Sequence, residues 1–129
     1  GVLSEEQAQA EMAKFVSEIA AFARARNPSF LVILQNASEI ASRKDVLGKI
    51  DGLALEDTFY DGDEAQGAEH TRHVLRHAQR VRAAGKPILA VDYCRETAKV
   101  RDFYRRAKAA GFVPYSTVRD LNRYTPPPR

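Results

Sequence analysis

Four short apolar runs, residues 30–34, 53–55, 88–91 and 112–115, each follow a helix-patterned stretch after a tight turn, and each passes directly into polar residues. This alternation leaves few solutions. Parallel neighbours need a crossover, helices supply it, and the outcome is a parallel sheet with helices packed on it. The runs are apolar throughout, as strands buried on both faces are. The expected fold class is therefore α/β, alternating helix and parallel strand, with about four strands. In such folds ligands bind outside the carboxyl ends of the strands. The residues found there are Gln35-Asn36, Glu56-Asp57, Asp92-Tyr93 and Tyr115.

The helices are marked by local chemistry. Ser4 with Gln7 three residues on is a capping-box signature, and Ala8, Met12, Phe15, Val16, Ile19, Phe22 and Ala23 then recur at helical spacing. Pro28 disfavours helical geometry at Asn27, which predicts a stop near Arg26. Further helices are expected over residues 38–48, 68–84 and 96–110, the last two closed by Gly85 and Gly111. The strand-to-helix segment 57–67 is long and rich in Asp, Glu and Gly, which puts the functional face at the strand carboxyl ends. Residues 1–124 read as one folded unit, and Thr125-Pro126-Pro127-Pro128-Arg129 as a terminal tail.

Composition narrows the function. A chain of 129 residues that is 44% hydrophobic suits one domain. The net charge of +3 is spread over helical faces around Arg72 to Arg82 and Arg95 to Lys108, so a nucleic-acid surface is not the expected reading. No apolar run approaches the roughly 18 residues that cross a bilayer, and no signal peptide is visible. Neither G-x-G-x-x-G nor a Walker motif follows any strand. The single cysteine, Cys94, reads as a packing residue. His70, His73 and His77 share one helical face but have only Glu69 as a nearby carboxylate and arginines between them, so a solvated face without metal is expected.

Glu56-Asp57 is the strongest chemical signal. A carboxylate pair at the end of a buried strand faces desolvation, which raises at least one pKa and suits an acid working near neutral pH. Glu56 continues the alternation Gly52, Ala54, Glu56 and is expected to face the site. Capping of the next helix, or pairing with Lys or Arg, is the alternative for both. Gln35 and Asn36 offer amide groups suited to sugar hydroxyls, although Asn36 also suits a helix cap. Asp92 adds a carboxylate, and Tyr93 and Tyr115 add aromatic faces suited to a carbohydrate ring.

The strings AEMAKFVSEIAAFARARNPSFLVILQN, IDGLALEDTFY, GKPILAVDYC and AAGFVPYSTVRDLN together resemble the C-terminal half of the glycoside hydrolase family 114 domain. The resemblance implies a (β/α)8 barrel, of which these strands are the fifth to eighth, and endo-α-1,4-polygalactosaminidase-like hydrolysis of an amino-sugar polysaccharide or oligosaccharide without a cofactor. It implies Glu56 as catalytic, within a Glu-Asp-x-Phe-Tyr block, and Gln35, Asn36, Asp57, Tyr60, Asp92, Tyr93 and Tyr115 as substrate-binding. The family's proposed catalytic Asp belongs to a preceding strand that this sequence does not contain. Ala37 and Thr58 depart from the family's usual Gly and apolar residue. A secreted or cell-envelope setting is also implied. Such a half barrel is expected to have negligible activity alone and to self-associate or pair with its missing half. Two rival readings stay open: a small α/β module binding a metal or a partner, and a non-catalytic carbohydrate-binding protein.

Overall fold

The computed structural model describes residues 1–129. Helix α1 spans Glu5–Arg26 and opens on the expected capping box: Gln7 N donates to Ser4 Oγ at 3.2 Å, and Ser4 N to Gln7 Oε1 at 2.9 Å. Asn27, just before Pro28, is extended and ends the helix. Strand β1 (Ile33–Gln35) follows, then α2 (Ser38–Ala41), α3 (Lys44–Leu47) and β2 (Gly52–Glu56). After β2 come the hairpin strands β3 (Tyr60–Asp61) and β4 (Glu64–Ala65), then α4 (Ala68–Ala83), β5 (Ile88–Asp92), α5 (Thr97–Ala109) and β6 (Val113–Ser116).

Two expectations need correction. The single helix expected over 38–48 is broken into α2 and α3, because Ser42 Oγ donates back to the Glu39 carbonyl at 3.0 Å and Arg43 is extended. Arg43 then grips Asp45 with two hydrogen bonds of 2.9 and 3.0 Å, fixing the start of α3. Segment 57–67 also contains the β3–β4 hairpin rather than being loop throughout.

The main sheet is parallel throughout, with order β1-β2-β5-β6. Spatial order follows chain order without reversal, which is consistent with part of a (β/α) barrel and differs from a doubly wound sheet. Gly85 and Gly111 end the two long C-terminal helices with φ of +81° and +77°, the left-handed cap that lets each chain turn into the next strand.

Strand alternation sorts the side chains. Leu53, Leu55, Ile88 and Ala90 are buried against the helices, with Val16 of α1, Val81 of α4 and Phe103 of α5. Phe103 has no exposed surface and contacts the rings of Phe59 and Tyr104, a burial worth roughly 2 to 3 kcal/mol. The other face of the sheet has no helix on it. Ile33 and Val113 stay 45% and 57% exposed there. Met12, Phe15, Ile19 and Phe22 form a second uncovered apolar stripe on α1, beside a depression of about 560 Å³ that reaches Phe30.

Thr58 carries a local mismatch. It is fully buried; its N–H donates to Asp92 and its carbonyl accepts from Thr71 Oγ1, yet its own Oγ1 has no partner. Thr58→Val keeps the shape and removes that orphaned hydroxyl. Stability is expected to rise by about 1 kcal/mol, read as a higher urea midpoint with an unchanged slope.

Candidate active site

Glu56 is the last residue of β2, and the alternation that buries Leu53 and Leu55 turns its side chain to the face without helices. Asn36, one residue beyond β1, sits at φ 57°, a left-handed conformation that asparagine tolerates. That turn aims its amide across the strand gap. Asn36 Oδ1 accepts from Glu56 N at 2.7 Å, and its Nδ2 donates to Glu56 Oε2 at 3.0 Å. Helix α2 receives no side-chain cap, so Asn36 is committed to Glu56 and not to the helix.

The other carboxylate oxygen, Oε1, accepts from the Tyr93 hydroxyl. The Tyr93 hydroxyl, the Asn36 amide and, more weakly, Gln35 and the positive field of Arg119 hold the Glu56 carboxyl below the usual glutamate range, against a smaller opposing effect of burial. The raised pKa expected of this pair is therefore not what the site creates at Glu56. Burial, and then Glu56 itself, push the Tyr93 phenol up to about 12. The result is an ionised carboxylate held by neutral donors.

Asp57 follows at φ 51° and faces Arg119, whose guanidinium donates to both its oxygens at 3.3 and 3.4 Å and to Asp61 at 2.5 Å. The same guanidinium lies 4.7 Å from the Tyr93 ring centroid. Beside Tyr93 and Arg119 is a cavity of about 370 Å³, also lined by Asp63, Arg95 and Asp120. The lining carries two carboxylates and two arginines, while Glu56, Asp57 and Asp61 stand just outside it on Tyr93 and Arg119. Sequence patterning does not single out Arg119, one of many arginines. Its only signal is its position three residues after the last strand.

The remaining residues divide between two sides of the sheet. Gln35 is exposed at the end of β1 beside Glu56. Tyr115 lies in β6, in register with Val91, which in turn is in register with Glu56. Its ring stacks with Tyr124 at 6.4 Å, and its hydroxyl accepts from Thr125 N at 3.1 Å, so the start of the tail is tied down.

Asp92 and Tyr60 point the other way. Asp92 has no exposed surface: Oδ1 accepts from Thr58 N at 2.9 Å, and Oδ2 from Phe59 N at 3.0 Å and Tyr60 N at 2.9 Å. Burial pushes its carboxyl above the usual aspartate range while those donors pull it back. Tyr60 is buried, and its hydroxyl donates to Asp102 of α5 at 2.6 Å. Neither side chain lines the open face with Glu56.

Cys94 is buried, which pushes its thiol up to about 12 and leaves no thiolate near neutral pH. The histidines do not form one solvated face. His70 is exposed, but His73 and His77 are half-buried against α2, where Glu39 approaches. Burial, then the neighbouring His73, hold His77 below the usual histidine range.

A sequence profile described as glycoside-hydrolase family GH114 matches residues 3–128. The chain belongs to family GH114. Three relatives, each described only as an uncharacterized protein, are 35% identical over 117 residues in Deinococcus radiodurans, 33% over 130 in Thermotoga maritima and 34% over 121 in Methanocaldococcus jannaschii. These alignments cover 90%, 94% and 85% of this chain but only 38%, 40% and 35% of the relatives. The chain thus spans about two fifths of the length of these relatives.

Two expected outcomes test this geometry of the GH114 chain. Glu56 has a depressed folded-state pKa, so it contributes stability above its unfolded pKa, about 4.3, and that contribution is lost as pH falls through the folded value. Tyr93→Phe removes the largest cause of the depression. The Glu56 carboxyl, followed by carbon NMR, should then titrate higher, toward the ordinary glutamate range. Asp92→Ala leaves three buried N–H groups without an acceptor. It should cost at least about 3 kcal/mol in urea unfolding at neutral pH.

Proposed function

We propose that this chain supplies the carboxylate Glu56 and part of the sugar-binding surface of a glycoside hydrolase acting on an amino-sugar polysaccharide, in the manner of an endo-α-1,4-polygalactosaminidase. The single observation that carries the reading is the held, ionised Glu56 at a strand carboxyl end on the face without helices, in a chain of family GH114.

Glycosidic hydrolysis ordinarily uses two carboxyl groups flanking the bond, one protonating the leaving oxygen and the other acting as nucleophile or base. Glu56 is one of the pair. As it stands it is set for the ionised role, and it serves as the acid when a second carboxylate and a bound sugar strip its water and raise its pKa. Asn36 is a positioning residue for Glu56, Tyr93 holds the carboxylate, and the exposed Gln35 beside Glu56 binds sugar hydroxyls. Asp57 acts through Arg119, and Asp92 and Tyr60 shape the loop from behind. Tyr115 offers a ring face beside the same opening. Glu56, held by neutral donors, supplies unneutralised negative charge at this opening, which favours a cationic amino sugar over a neutral one.

The second carboxylate belongs, on this proposal, to a part of the protein beyond this chain that packs on the uncovered sheet face and on α1. The unbroken strand order β1-β2-β5-β6 supports that reading over a self-sufficient binding module. The test is Glu56→Gln in the longest natural polypeptide containing this chain, assayed on α-1,4-linked galactosamine oligomers. Turnover should fall roughly a thousandfold with oligomer binding retained. Turnover within a few fold of the parent would remove Glu56 from the chemistry.

A further inference from the structure

Outside the strand-end site, α1, α2 and α4 bring a second set of chemically active side chains together on the helix layer. His73 and His77 stand four residues apart on α4, so their rings share one face, with centroids 4.9 Å apart. Glu39, in the first turn of α2, comes in from the neighbouring helix, 34 residues earlier in the chain, and its Oε1 lies 2.5 Å from His73 Nε2. One nitrogen of each imidazole and one oxygen of Glu39 all lie within 4.8 Å of one another.

Each of these groups is already oriented by another. Gln9 of α1 donates its Nε2 to Glu39 Oε2 at 2.8 Å, which leaves Oε1 turned toward the histidines. Ser42 Oγ donates its proton to the Glu39 carbonyl at 3.0 Å and lies 2.9 Å from His77 Nδ1. With that hydroxyl proton spent, Ser42 accepts from His77 Nδ1–H, and the lone pair of the neutral ring is then at Nε2. A histidine whose far nitrogen donates to a fixed acceptor is the arrangement found behind metal-bound imidazoles. A surface ion pair alone needs neither the second histidine nor that tautomer.

The geometry points to a binding site for a divalent first-row transition ion, zinc above all, formed by Glu39, His73 and His77, with water completing the coordination. Two imidazoles and a carboxylate are a borderline N/O donor set that suits Zn²⁺ and closed-shell tetrahedral coordination, at bond lengths of about 2.0 to 2.2 Å. Such bonds place ligand atoms roughly 3.3 Å apart, so the ion replaces the His73–Glu39 hydrogen bond and draws His77 inward. Binding through His73 Nε2 moves that ring's proton to Nδ1, where Arg76 Nη2 now sits at 3.3 Å. Arg76 is exposed and turns outward. The ion would clamp α4 to α2 on the far side of the sheet from the Glu56 carboxylate, so its role is to brace the helix layer and not to take part in sugar chemistry.

Zinc titration of chelator-treated protein at pH 7.5, followed by calorimetry and thermal unfolding, tests this. One equivalent should bind saturably well below 1 mM and should raise the unfolding temperature. Glu39→Gln and His77→Ala should each weaken binding at least tenfold, Ser42→Ala should weaken it severalfold through the lost orientation of His77, and His70→Ala should leave it unchanged. Arg76→Gln should tighten it, because a cation beside His73 is removed. Circular dichroism of the metal-free variants separates lost ligands from lost folding. No saturable uptake below 1 mM zinc, or uptake that His70→Ala abolishes and Glu39→Gln leaves intact, would overturn the assignment.

Discussion

The carboxylate of Asp92 sets the geometry at the strand ends. It is sealed from solvent and takes the N–H groups of three successive residues, Thr58, Phe59 and Tyr60. Those donors belong to the chain just after Glu56-Asp57, so one buried anion decides how β2 leaves the sheet. Burial alone disfavours that charge, and the three dipoles make it tolerable. Because adjacent strand residues alternate, fixing Asp92 on the helix side sends Tyr93 to the other side, where its hydroxyl meets Glu56. Two neighbouring residues thus serve opposite faces of the sheet, Asp92 the loop after β2 and Tyr93 the Glu56 carboxylate.

The hairpin extends the same logic outward. Tyr60, held by Asp92 through its N–H, sends its hydroxyl to Asp102 of α5. Two residues beyond β3, Asp63 accepts from the N–H groups of Arg95 and Glu96 at 2.7 and 3.0 Å, occupying donors just ahead of α5, a helix with no side-chain cap of its own at its N-cap residue. Arg119 closes the other side by joining Asp57 and Asp61 over the Tyr93 ring. The loops at this end are thus pinned by carboxylates: Asp92 and Asp63 through backbone N–H groups, Asp57 and Asp61 through the shared Arg119. Glu56 alone among them combines neutral donors with a path to the open face.

What the sequence discloses follows from the range of each signal. The capping box, the stop before Pro28, the glycine caps and the four apolar runs are local, and α1, α4, α5 and the parallel strands appear within a few residues of where those signals put them. Glu56 facing the open side was readable because a two-residue period is also local. The break between α2 and α3 was not: it rests on a serine returning to its own helix and on the Arg43–Asp45 pair, both of which look helix-compatible in isolation. Asp92 stands at a strand end and Tyr60 in the block that carries the family resemblance, but alternation turns Asp92 to the helix side and the Asp102 hydrogen bond takes Tyr60 there with it. Glu39 and Arg119 were invisible as partners, since 34 and 62 residues separate them from His73 and Asp57 and nothing in the intervening chain encodes the approach.

The depressed pKa of Glu56 and the uncovered face of the sheet are two aspects of one condition. Ile33, Gln35, Ala54, Glu56, Tyr93 and Val113 belong to the same side of the sheet, the side without helices, so the carboxylate is held by its donors while water still reaches its surroundings. On the proposed reading, chain that packs over this face buries Ile33 and Val113 and at the same time dries the end of β2. Drying penalises the charged form of Glu56, and a second carboxylate brought in opposite penalises it further, while the Tyr93 and Asn36 donors resist both. The balance of those opposing effects moves the carboxyl upward from its present position toward the range in which it can hold a proton and release it to a leaving oxygen. On that proposal, covering the apolar face and activating the acid follow from the same removal of water, which ties the proposed hydrolysis to whatever covers this face rather than to any residue of this chain taken singly.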